Sequence, residues 1–105
     1  MYLIDKIGTQ ICEVGNPQMD GNSVTGKVRK ATMPLRLEEL LATYEERVNS
    51  LVFSLLDDLE EEINGFEIQV VLDDQKFKIK NLQLMNHEDI SFDIEGFSRE
   101  PLHLP

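Results

Sequence analysis

Three short stretches of the chain carry side chains that could do chemistry. Cys12 could attack an electrophile if a histidine stood beside it to take the thiol proton. It lies in "QICEVG", with Ile11 and Val14 close by, which favours a small buried hydrophobe over a nucleophile. His87-Glu88-Asp89 offers an imidazole and two carboxylates, donors that a divalent metal takes. A site needs further ligands, and no second histidine stands at helical or strand spacing, so these residues read as a solvated turn. "NPQMDGN", residues 16–22, loosely mimics the first half of a calcium loop. The twelfth position, where such a loop needs a bidentate Glu, is Lys27. There is no glycine-rich phosphate loop and no paired nucleophile motif. The expectation is a protein without catalysis, metal or cofactor.

A fourth stretch is electrostatic. "DDLEEEING", Asp57–Gly65, packs five carboxylates into six residues before an Asn-Gly pair that reads as a helix end. A helix C-terminus carries partial negative charge and favours cations, so acid there opposes the dipole and calls for an offset. Leu59 and Ile63 keep the apolar side, which leaves Asp57, Asp58, Glu60, Glu61 and Glu62 as candidates to meet a basic partner protein. The bland alternative is a solvated face that serves solubility.

The elements that position these residues follow from periodicity. The 105-residue chain suits one domain, 1–105, and is 41% hydrophobic and 29% charged, ordinary for a globular protein. "FEIQVVLD", "KFKIKNLQL" and "ISFDIEG" alternate with strand period and suggest a three-stranded antiparallel meander. A bulge near Lys80-Asn81 returns Leu82 and Leu84 to the core face. Pairing Asp73 with Lys76 sets Leu72 against Phe77 and Val70 against Ile79. On the outer face it sets Lys76, Lys78 and Lys80 among Glu67, Asp73, Asp93 and Glu95 as a charge ladder. "QICEVG" and "SVTGKVRKA" read as an N-terminal hairpin joined by residues 16–22, and "YLI" as a further short strand or an arm.

Between these lies a helical stripe, Leu37, Leu40, Leu41, Tyr44, Val48, Leu51, Val52, Leu55, Leu56, Leu59 and Ile63, with Pro34 at its start and Gly65 at a left-handed cap. Unbroken from 35 to 63, it would be about 43 Å long, overhanging strands of about 17–20 Å. Either it breaks, near Ala42-Thr43, or Leu37, Leu41, Tyr44 and Val48 meet a second copy of the chain. Residues 98–105, with Pro101 and Pro105, read as an extended tail that either frays or docks its leucines.

The expected fold is therefore α+β: an antiparallel sheet of about five strands, an N-terminal hairpin plus a C-terminal meander, packed by one long or broken central helix. The lone cysteine, the lack of a leader pattern and the lack of a long apolar run fit a cytoplasmic, soluble chain. A net charge of −10 disfavours direct contact with nucleic acid or an anionic membrane. The leading functional expectation is a small acidic protein-binding module, a regulator, inhibitor or immunity-type protein that caps a basic surface. The alternative is a structural subunit or homodimer assembled through the helix.

Overall fold

The computed structural model describes residues 1–51 and 56–96. These hold six strands and two helices: β1 (Tyr2–Ile4), β2 (Gln10–Asp20), β3 (Ser23–Arg29), α1 (Leu35–Asn49), α2 (Leu56–Asn64), β4 (Gln69–Leu72), β5 (Gln75–Met85) and β6 (Asp89–Ile94). The strands are antiparallel and close into a barrel in the order β1-β2-β3-β6-β5-β4. This corrects the expected open five-stranded sheet packed by one central helix. The difference lies in "YLI": β1 pairs with β2 on one side and with β4 on the other, Leu3 lying opposite both Cys12 and Val70. Closure leaves neither hairpin with a free outer strand, which removes a standing hazard of edge-to-edge association.

The barrel interior follows the alternation in the sequence. Leu3, Cys12, Val14, Val24, Val70, Leu82, Leu84, Ile90, Phe92 and Ile94 are buried in one cluster, and Leu37, Leu40, Leu41 and Ile63 of the helices join it. On β3, Val24 is buried and Val28 half-buried, while Thr25, Lys27 and Arg29 are exposed. The bulge expected in β5 is present between Lys80 and Gln83, with Asn81 in the left-handed region (φ 56°). Two core-face pairings flank it, Ile79 opposite Ile94 and Leu84 opposite Ile90.

Two pairings differ from expectation. The β4–β5 hairpin turns on Asp73-Asp74, both at positive φ (52° and 63°), the handedness that suits a two-residue turn between right-twisted strands. Val70 therefore faces Phe77, and Lys76 and Lys78 face Val71 and Gln69. The displacement is an even number of residues, so the buried face is kept while the outer neighbours change. Residues 16–20 belong to β2, which bulges between Gly15 and Gln18 and turns only at Gly21-Asn22.

The helical stripe divides into two. α1 runs unbroken through Ala42-Thr43 and ends at Asn49, where Ser50 N–H donates to Glu46 O (3.0 Å) and Leu51 N–H to Val48 O (3.1 Å). Leu51 takes φ 58°, a left-handed conformation eight residues beyond Thr43 of the expected break. Asn and Ser compete for backbone bonds and favour helix ends, whereas Ala is the best helix former. Val52 and Leu55 of the stripe, and the tail from 98, lie outside the described residues. α2 ends as Gly65 N–H donates to Glu61 and Glu62 carbonyls (3.0 and 3.1 Å). The left-handed residue after it is Glu67 (φ 49°) and not Gly65. No helix among the described residues is long and apolar enough to cross a membrane.

Two features of the barrel wall make predictions. A Cβ on Gly26 would lie 2.6 Å from Val14 Cγ1 and 2.8 Å from Gly15 O, a backbone atom beside the β2 bulge. Gly26→Ala should therefore lower unfolding stability by about 1–3 kcal/mol, read by urea denaturation. Asp93 accepts hydrogen bonds from Ser23 Oγ (2.7 Å) and Asn81 Nδ2 (2.8 Å), tying β6 to β3 and to the bulge. These bonds, the Ser23 one first, hold its carboxyl below the ordinary 3.8. A depressed folded-state value means that this stabilisation is present above the unfolded pKa and is lost as pH falls through the folded one. Asp93→Asn should thus flatten the acid limb of the stability curve below about pH 4, measured by unfolding across pH.

Candidate functional site

The acidic cluster is built by the break between the helices. Because α2 begins at Leu56, Asp57 and Asp58 stand in its first turn, where acid complements the dipole. Only Glu60, Glu61 and Glu62 occupy the end where acid opposes it. α2 turns Ile63 into the core and Leu59 half-inward, leaving all five carboxylates exposed.

Two of those five are tethered within the chain. Arg36, in the first turn of α1, donates from Nη2 to Glu62 Oε2 (2.7 Å), with Glu39 also near its guanidinium (3.7 Å). The Glu62 hydrogen bond is the main cause of the raised Arg36 pKa. Tyr44 donates its hydroxyl to Glu60 (2.9 Å), and its pKa is raised by partial burial and then by that bond. Arg36 is the offset that the dipole argument called for. Sequence reasoning missed it because the pair is 26 residues apart and meets only when α1 and α2 fold side by side. Asp57, Asp58 and Glu61 make no hydrogen bond or ion pair among the described residues.

The helix residues that could have met a second chain are placed otherwise. Leu37 and Leu41 are 0% and 1% exposed, packed in the chain's own core, so they offer no surface to a second copy. Tyr44 and Val48 are half-buried along a shallow crevice shared with Leu84 and Met85 of β5. Glu45, the residue after Tyr44, accepts a hydrogen bond from Asn86 N–H (2.9 Å), which fastens α1 to the β5–β6 turn.

The other chemically able residues are accounted for by the fold. Cys12 lies inside the barrel at 0% exposure, and burial pushes its thiol up to about 11. His87 is exposed in the β5–β6 turn, while the adjacent Asp89 is ion-paired with Lys27. No group of three potential ligands gathers among the described residues. The residues of the supposed calcium loop are mostly strand.

One feature had no sequence signal. A cleft of about 480 Å³ opens beyond the C-terminal end of α2, beside the start of β4 and the middle of β5, where Lys6, Lys78 and Lys80 converge. These lysines come from the β1–β2 loop and from β5. Alternation alone places Lys78 and Lys80 on a solvent face and says nothing of the loop that meets them. No protein-family profile, curated protein or solved structure matches this chain.

The state of Cys12 is directly checkable. A protonated thiol sealed in the core should react with iodoacetamide only when the barrel opens. Alkylation at neutral pH should be slower than for a free thiol by a factor set by the opening equilibrium, and urea should abolish that protection. Fast labelling of the native protein would show that the barrel wall is open at β2.

Proposed function

We propose that this protein is a non-enzymatic protein-binding module whose acidic helical layer caps a basic surface of another protein, in the manner of a small regulator or inhibitor. The reading rests on one observation, the segregation of charge. α1 and α2 together hold nine carboxylates and two arginines, so seven of the ten net negative charges belong to the helices and three to the rest of the chain. A merely soluble protein has no need to gather its acid on one layer.

Rigidity supports the same reading. α2 is anchored through Ile63 to the core and through Glu60 and Glu62 to α1, so Asp57, Asp58 and Glu61 are presented from a fixed element. Preset charges of one sign steer a complementary partner, raising the association rate in a salt-dependent way, while contributing less to the dissociation rate. Because these three hold no hydrogen bond or ion pair among the described residues, their neutralisation should cost only the small dipole contribution of Asp57 and Asp58.

The test is the triple variant Asp57→Asn, Asp58→Asn, Glu61→Gln. Partners captured on the wild-type protein at low salt should be basic, and the variant should associate with them about tenfold more slowly, the difference shrinking at high salt. Equal association rates for the two proteins would overturn the reading.

A further inference from the structure

The lysine-lined cleft is unexplained by an acidic docking face. Its walls are Lys6 from the β1–β2 loop, Lys78 and Lys80 from β5, Asn64 and Gln69 from the ends of α2 and β4, and Glu67 and Glu95; its apolar lining is Ile63, Ile68, Ile79 and Leu82. Lys27, Lys30 and Arg36 each hold a carboxylate elsewhere on the surface. Lys6, Lys78 and Lys80 hold none within ion-pair distance among the described residues. Lys78 stands between Gln69 of β4 and, on the β6 side, Glu95, whose N–H donates to the Lys78 carbonyl (2.8 Å), and Lys80 lies opposite an Asp93 whose two oxygens already accept from Ser23 and Asn81.

A chain with a net charge of −10 has carboxylates to spare for its cations. Three ammonium groups brought to one cleft and left without ion pairs repel one another, and an anion seated among them would relieve that repulsion. Two glutamates in the same lining leave the cleft with a net charge of +1 against the acid of the whole. The volume lies within the range of about 300–1,000 Å³ typical of small-molecule sites, and the lining is more polar than apolar, with seven polar or charged residues beside four apolar ones.

We propose that this cleft binds a small amphiphilic organic anion, its carboxylate or phosphate head on Lys6, Lys78 and Lys80 and its apolar body against Ile63, Ile68, Ile79 and Leu82. The cleft is a site distinct from the acidic face of α2, and the proposal does not depend on that face meeting a partner. Glu67 and Glu95 favour ligands of single negative charge over more highly charged ones, because each added charge meets their carboxylates as well as the lysines.

Amide chemical-shift titration of the full chain tests this with four probes: phenyl phosphate, 3-phenylpropionate, the neutral 3-phenylpropanamide and the cation phenethylamine. The anions should shift the amides of Gln69, Ile79 and Leu82 saturably below about 10 mM, and the tighter of the two identifies the head group. The neutral and cationic probes should bind at least about tenfold more weakly. Lys78→Gln with Lys80→Gln should weaken the anions about tenfold, whereas Glu67→Gln with Glu95→Gln should tighten them severalfold. All four positions are exposed, and the two double variants move affinity in opposite directions, so a loss of folding in one cannot be mistaken for the expected pattern. Binding of the neutral probe as tight as that of the anions, anion affinity indifferent to both double variants, or no saturable shift at all would overturn the site.

Discussion

The pairing of Tyr2–Ile4 with both β2 and β4 is the constraint on which the rest of the molecule depends. Three residues convert an N-terminal hairpin and a C-terminal meander, joined on their far side by β3 and β6, into a closed wall. Closure gives Leu3, Cys12, Val70 and Phe92 a shared interior instead of one face of a sheet. It also fixes what the helices can do. They need not cover a broad sheet, so two short segments contributing Leu37, Leu40, Leu41 and Ile63 complete the core. The outward faces of those segments are left to carry charge.

From that division of labour come both charged surfaces. α2 lies beside α1, close enough for Arg36 to reach Glu62 and Tyr44 to reach Glu60. The acidic layer is thereby held by its own members, with Asp57, Asp58 and Glu61 left over. At the other end of α2 the chain passes Glu67 into β4, and the two-residue turn at Asp73-Asp74 decides which side chains stand across from the β5 lysines. The acid-rich face and the lysine-lined cleft adjoin one helix of nine residues.

How much of this was legible depended on the range of the interaction. Strand alternation is local, and the inward set of β4, β5 and β6, with the bulge at Asn81, could be read from neighbouring residues. The stripe of the helices was legible for the same reason. Barrel closure was not, because "YLI" is too short to show a period and its partners lie in distant strands. The break at Leu51 was missed because no Gly or Pro marks it; the left-handed conformation is borne by a leucine. The hairpin register was misread by two residues because either register keeps the same face buried, and hydrophobic pattern cannot separate them. That small difference sets Lys76 opposite Val71 in place of Asp73, while Lys80 keeps Asp93 as its neighbour across β6. The acidic cluster was plain in the sequence, whereas Arg36 as its counter-charge was not.

Closure through so short a strand also has a kinetic side. The bonds that shut the wall join Leu3 to Val70, so most of the described chain must be gathered before they form. Contacts of such sequence separation cost loop entropy before they return energy, and folding dominated by them is slow. Until β1 is seated, β2 and β4 both expose a bare edge. The interval before closure is therefore when this chain is most open to pairing with another copy of itself, and the acid carried by the helices is then a source of mutual repulsion between unfinished molecules.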